Sequence, residues 1–202
     1  MDVRLAVAVM HDLKNALIVL ENKLRDMRSA PTSDQAVQAH DTCTALQDKL
    51  VGFLTIYKAD TLGLQALIDT VNPEDFIKGL LKTRITNRPD LPISVKTENM
   101  PSLAFFDEYL VGLALEAVLQ NATRFARSQV WISCEQEAQG NIVFSIRDDG
   151  PGLGTKEDKP STGLGMALCE SIAESHTKGD KKGSVLLRNH PDGGAIFEMR
   201  LP

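Results

Sequence analysis

The chain has 202 residues, of which 43% are hydrophobic and 24% charged, the balance of a globular protein with one or two cored domains, which excludes a disordered or fibrous chain. A net charge of −5, with lysine and arginine scattered apart from the Lys178, Lys181, Lys182 group, leaves no broad basic field and argues against nucleic acid as a partner. Cys43, Cys134 and Cys169 lack metal-ligand spacing and read as reduced thiols of a cytoplasmic protein, while apolar runs such as Leu5 to Met10 fall far short of the roughly 20 residues of a membrane span and no signal peptide opens the chain.

Leu5, Val9, Leu13, Ala16, Leu20, Leu24 and Met27 recur every three or four residues, which predicts one apolar stripe along a first helix of about seven turns. Ser29-Ala30-Pro31 ends it. A second helix is expected to start with Ser33 or Asp34 as its N-cap, and Ala39, Cys43, Leu46, Leu50, Phe53 and Tyr57 then repeat at alternating spacings of four and three. These are the spacings of a coiled-coil seam. A lone two-helix hairpin leaves much of such a stripe in water, so the expectation is a homodimer through residues 1–63 in which two hairpins form a four-helix bundle.

His11-Asp12-Leu13-Lys14-Asn15 lies on the first helix. At roughly 100° per residue, His11 falls almost opposite the stripe and faces solvent, with Asn15 within about 40° of it and Asp12 between the histidine and the seam. An isolated histidine on a wet helix face is most simply a solvated side chain. Its imidazole, with a pKa near about 6.5, is nonetheless largely neutral at cellular pH and can attack phosphorus, and an adjacent carboxylate, Asp12, can hold the proton of the other ring nitrogen.

Beyond Asp60-Thr61-Leu62-Gly63 the heptad stops, placing a domain boundary near residue 63, between residues 1–63 and 64–202. A short amphipathic helix is expected around Asp75 to Thr83, a turn from Pro89 to Pro92, a strand over Ile93 to Thr97, and a helix from about Glu108 to Phe125 capped by Asp107. Val130–Cys134, Asn141–Arg147, Ser184–Arg188 and Ala195–Leu201 read as strands, with a helix from Leu164 to about Ser175 among them. The predicted class is α+β: an N-terminal helical hairpin followed by an α/β sandwich in which helices cover one face of a mixed sheet. Neither GxxxxGK(S/T) nor GxGxxG after a strand is present, so the common mononucleotide folds are excluded.

Two glycine clusters stand late in the chain, Asp148-Asp149-Gly150-Pro151-Gly152 and Thr162-Gly163-Leu164-Gly165. Asp148, after a strand, can accept a hydrogen bond from an adenine amino group while Gly150 and Gly152 let the backbone pass close to the ring. Gly163 and Gly165 lead into a helix N-terminus, where exposed amides favour phosphate oxygens. Between these and His11 lies Asn121-Ala122-Thr123-Arg124-Phe125-Ala126. Asp-Asp-Gly-Pro-Gly alone would pass for a surface turn.

In this order the patches resemble the catalytic core of a bacterial sensor histidine kinase, over nearly the whole chain. The resemblance implies that residues 64–202 adopt the Bergerat ATP-binding fold, shared with gyrase, the large heat-shock chaperone and a mismatch-repair ATPase, with ATP and Mg2+ as cofactors. It makes His11 the phosphate acceptor, gives Asp12 the proton-holding role, and has Asn15 orient water for removing phosphate from a partner. It assigns magnesium to Asn121 and the phosphates to Arg124. Asp148, Gly150 and Gly152 then form the first glycine box, and Thr162, Gly163, Leu164 and Gly165 the second. Gly193 to Pro202 resembles the last hairpin strand, which argues for a native C-terminus there.

The chain also departs from the family pattern. Ala117 stands one turn before Asn121, where many members carry a second polar ligand, and Glu116 is off that face; Ser161 replaces a glycine, and only Leu153 to Thr162 separate the glycine clusters, so the lid is short. The implied function is ATP-dependent autophosphorylation of His11 and transfer to an aspartate of a response-regulator receiver domain, with input from a separate sensor protein or a missing N-terminal sensor region. The alternative is a histidine phosphotransferase or docking module whose C-terminal domain no longer binds ATP. His40, His176 and His190 have no partners at metal spacing and read as incidental.

Overall fold

Helix α1 runs Val3–Ser29 and α2 runs Ser33–Leu62. The cap of α2 is Thr32, one residue before the expected Ser33: its hydroxyl accepts from Gln35 N at 3.2 Å, and Gln35 Oε1 accepts from Thr32 N at 3.1 Å. This reciprocal box satisfies two backbone donors at once, which neither Ser33 nor Asp34 could do without a Glu or Gln three residues later. Val9, Ala39 and Ile56 are buried, and Lys23 Nζ donates to Thr42 Oγ1 across the hairpin at 2.8 Å. Leu50 and Tyr57, expected in the seam, are exposed together with Leu54, Val7, Leu17 and Ile18. One hairpin buries only one of its two apolar faces; the other stays in water.

The computed structural model describes residues 3–29, 31–83, 88, 90–154 and 163–202. They divide into two units, one holding the described residues up to 63 together with 163–168, the other those from 64 to 154 together with 169–202.

The second unit is built on a five-stranded sheet. In chain order the elements beyond residue 63 are β1 (Asp69–Val71), α3 (Pro73–Thr83), β2 (Ile93–Lys96), β3 (Ala104–Phe106), α4 (Glu108–Phe125), β4 (Val130–Gln136) and β5 (Ile142–Asp148), then α5 (Leu164–Ser175), β6 (Thr177–Lys178), β7 (Lys181–Lys182), β8 (Ser184–Asn189) and β9 (Ala195–Leu201). The sheet order is β2-β4-β5-β9-β8. β2 and β4 are parallel and the other pairs antiparallel, giving the mixed sheet expected of the α+β class. β5 alternates buried and half-buried residues along its length, as a strand with one covered face must. Phe76 of α3, Phe106 of β3 and Phe144 of β5 meet edge to face with centroids 5.1, 5.9 and 5.2 Å apart, a geometry worth about 0.5–1.5 kcal/mol per pair beyond area burial. The β1/β3 pair and the β6/β7 hairpin were not anticipated, because strands of two or three residues carry no readable period. Cys134 and Cys169 are free and buried, and burial pushes both thiols up to about 12, so they are inert packing groups.

Asp107 and His176 form the polar joint of this unit. Asp107 Oδ1 caps α4 by accepting from Leu110 N at 2.9 Å, and Oδ2 accepts from Leu67 N at 2.8 Å. The Asp107 N–H donates to His176 Nε2 at 3.0 Å, while His176 Nδ1 lies 2.8 Å from Ile172 O; only the neutral ring protonated on Nδ1 satisfies both. His176, read from the sequence as incidental, is a buried structural residue, 2% exposed. Burial drives its pKa below the ordinary value of 6.5, against the Ile172 carbonyl and Asp107, which raise it. The unfolded chain therefore binds the proton more readily than the folded one, so the contribution is complete above about pH 6.5 and is lost as pH falls below it. Chemical denaturation between about pH 7.5 and 5 should show stability falling with acid, and His176→Gln should be less stable by about 1–3 kcal/mol at the upper end, with a flatter slope.

Candidate functional site

On α1, His11 and Asn15 are exposed and Asp12 half-buried. Asn15 Nδ2 lies 3.1 Å from His11 Nδ1, the contact expected of residues one turn apart. Asp12 is turned elsewhere: its Oδ2 pairs with Lys49 Nζ of α2 at 2.9 Å. A residue one position on is rotated about 100° around the helix, here toward α2. With Nδ2 against the ring, Nδ1 accepts and the proton sits on Nε2. With the isosteric amide turned over, Nδ1–H donates to Oδ1 and Nε2 offers its lone pair to solvent.

In the second unit, Asp148 ends β5 and is 6% exposed. Its Oδ1 accepts from Gly150 N at 2.8 Å and more weakly from Ala195 N at 3.4 Å, and Oδ2 accepts nothing among the described residues. Glycines are required around it. A Cβ on Gly150 would lie 2.5 Å from Phe125 O, one on Gly152, at φ +81°, 2.6 Å from Asn189 Oδ1, and one on Gly194 would collide with Asp148 O. The turn is thereby pressed against the end of α4 and the β8–β9 connection, with half of one carboxylate left for a ligand.

Asp149 ties this turn to α4. Its carboxylate accepts from Arg127 N at 2.8 Å, Ser128 N at 3.1 Å, Gln129 N at 3.2 Å and Ser128 Oγ at 2.6 Å. Burial opposes its ionised form, but these donors prevail and hold it down to about 2. Arg88 donates to Ala126 O and Arg127 O from another side of the same loop. On the last turns of α4, Asn121 and Arg124 are exposed; the Arg124 guanidinium lies 4.9 Å from the centre of the Phe125 ring, and the Asn121 amide bonds no group among the described residues. Ala117 is half-buried. In the other unit, Gly163 takes φ +75° just before α5, and its carbonyl accepts from Ala167 N at 3.1 Å; Leu164 is buried and Gly165 half-buried. Thr162 and Ser161 lie outside the described residues.

Residues 106–202 match the family described as histidine kinase-, DNA gyrase B-, and HSP90-like ATPase. The chain is similar to the sensor protein KdpD of Escherichia coli, 26% identical over 98% of this chain and 24% of KdpD. It is also similar to the phytochrome-like protein Cph1 of Synechocystis, 23% identical over 98% of this chain and 29% of that protein. It spans about a quarter of the length of these curated relatives. The Acinetobacter baumannii histidine kinase AdeS superposes with a TM-score of 0.70 over 95% of this chain and 96% of that chain at 20% identity. Full-length ShkA in complex with AMPPNP superposes with 0.63 over 98% of this chain and 45% of its own, at 18% identity. The fold is the one these histidine kinase structures share: a helical hairpin followed by an α/β sandwich with a mixed sheet.

Within the ATPase domain, Asp149, Gly194, Asn189 and Arg88 escaped the sequence reading. Asp149 sits inside the first glycine box, yet its partners are some 20 residues upstream. Asn189 Oδ1, which accepts from Leu153 N at 2.6 Å, is reached only through the register of β8 and β9. The Gly193-Gly194 pair before the last strand was the available signal. Asp149→Ala should destabilise the domain by about 1–3 kcal/mol, since it strands several loop donors. Because the carboxyl is depressed, its contribution exists above the unfolded value near about 3.9 and disappears as pH falls toward 2. Acid unfolding of the variant should therefore lack that limb.

Proposed function

We propose that the chain is an ATP-dependent protein-histidine kinase that phosphorylates itself on His11 and passes the phosphoryl group to an aspartate of a response-regulator receiver domain. The observation that carries this reading is Asp148: a buried carboxylate with one oxygen pinned by Gly150 and Ala195 amides and the other uncommitted, at the end of a strand in a domain of the ATPase family. Such a group accepts a hydrogen bond from an exocyclic amine such as that of adenine. Asn121 and Arg124 project exposed from the helix tied to the same turn. The Asn121 amide oxygen would hold magnesium, which would supply positive charge beside the phosphates, and Arg124 would neutralise phosphate charge. Gly150, Gly152 and the second cluster, Thr162 to Gly165, complete the assignment around base and phosphates.

His11 supplies the acceptor. Its Nε2 lone pair forms the bond to the γ-phosphorus while the bond from that phosphorus to the β,γ-bridging oxygen breaks and ADP departs; Nδ1 keeps its proton, held by Asn15 Oδ1. Catalysis is then positioning and charge neutralisation. Asn15 is also the residue we assign to water orientation should the protein dephosphorylate its regulator. Exposed Leu50, Leu54 and Tyr57 on α2 with Val7, Leu17 and Ile18 on α1 support a homodimer closing a four-helix bundle. No helix among the described residues is long and apolar enough to cross a membrane; we assign the chain to the cytoplasm, with input from a separate sensor protein or an N-terminal sensor region.

One observation favours the phosphotransferase reading, in which the ATPase domain has lost its nucleotide: Ala117 gives no oxygen ligand one turn from Asn121. Incubation with γ-labelled ATP and magnesium separates the two. Acid-labile label should appear on wild type and vanish in His11→Ala, while Asp148→Ala should bind ATP at least about tenfold more weakly. Equal labelling of wild type and His11→Ala, or none of either with no saturable ATP binding, rejects the kinase. Sedimentation equilibrium at micromolar concentration should give a dimer, and Leu50→Glu with Leu54→Glu should shift it to monomer.

A further inference from the structure

We propose that the open face of the five-stranded sheet is a second binding site, for a small organic dicarboxylate. The helices cover one face of the sheet; the other carries a hollow of about 380 Å³, within the size range of small-molecule sites. Register explains its shape. Lys96, Ser133, Ser145 and Glu198 form one row across β2, β4, β5 and β9, flanked by the Trp131–Arg147 row on one side and the Glu135–Val143 row on the other. Two serines side by side between rows of large residues leave a trench with a hydroxyl floor.

The chemistry of the trench is that of an anion site. Glu137 is held by a bidentate bond from Arg200, Nε donating to Oε2 at 3.1 Å and Nη2 to Oε1 at 2.8 Å, and Glu198 is paired with Arg188 at 2.9 Å. Lys96 has no carboxylate partner among the described residues. Arg147 lies with its guanidinium 4.9 Å from the centre of the Trp131 ring, its Nε is buried without any hydrogen-bond partner, and its nearest carboxylate, exposed Asp192, is 3.8 Å away, beyond hydrogen-bond distance. A planar cation stacked on an aromatic ring and short of acceptors is built to take a carboxylate. Neither serine hydroxyl bonds a protein group among the described residues, so both are available to the same ligand. The one uncompensated acid lining the trench, Glu135, stands in the row away from Arg147, which directs a ligand's negative ends to Arg147 and Lys96. The proposal does not rest on the nucleotide reading, because side chains alternate along β5 and Arg147 and Asp148 point to opposite faces.

Trp131 is the chain's single tryptophan, so its fluorescence reports on this site alone. Titration of the whole protein with succinate should give a saturable change in emission with a dissociation constant in the millimolar range or below, and neutral succinamide should give none. Arg147→Gln should abolish saturable binding measured by calorimetry. Lys96→Gln, a change at an exposed side chain, should weaken it about tenfold with the folded spectrum unchanged. The proposal is overturned if succinate acts no differently from sodium chloride at equal ionic strength, if succinamide is equivalent, or if well-folded Lys96→Gln and Arg147→Gln proteins bind succinate as wild type does.

Discussion

The functional half of the second unit depends on one carboxylate accepting from one loop. Asp149 gathers the amides that follow α4, and a neutral side chain could not do the same: three N–H groups and a hydroxyl converge on it, and only an ionised carboxylate offers enough lone pairs. Its depressed pKa measures how far those donors outweigh the cost of burial. The consequence is geometric. β5 ends in Asp148, α4 ends near Asn121 and Arg124, and the Asp149 knot makes these two ends a single piece, so that the position of one is set against the other by one local contact. Arg88, donating to Ala126 O and Arg127 O, fixes the remaining side of the same loop.

What was legible in the sequence divides along that line. The α4 cap at Asp107, the long strands and the first glycine box follow from patterns confined to a few residues, and α4 begins and ends where the reading put it, at Glu108 and Phe125. The placement of Asp148 at the end of its strand was legible for the same reason, whereas the crowding of Gly150 against Phe125 O arises from tertiary pairing. Asp149, Asn189 and Gly194 were not, because their significance lies in partners brought together by tertiary pairing. Gly194, for instance, matters because β9 carries it against Asp148 O, and no local rule distinguishes it from an ordinary hairpin glycine. His176 belongs with them. A single histidine between a helix and a short hairpin gives no hint that both its nitrogens are engaged inside the domain.

The hairpin shows a different limit. Period 3.5 in α2 was correctly visible, yet periodicity cannot tell which apolar face meets the neighbouring helix and which is left over. Ala39 and Ile56 go inward while Leu50 and Tyr57 stay in water. Both faces carry large apolar side chains, so size does not separate the inner face from the outer one. That division is what a protein needs if its hairpin must pair once within the chain and once more with another copy.

At His11 the same geometry decides which neighbour governs the ring. Asp12 is neutralised by Lys49, so the partner at Nδ1 is a neutral amide rather than a carboxylate. A carboxylate would commit the ring to a proton on Nδ1 and favour its charged form. An amide serves either tautomer by turning over, which leaves the nucleophilic nitrogen's state to whatever approaches it. The Lys49–Asp12 pair is of modest surface energy, but its geometry turns the carboxylate from the imidazole toward α2.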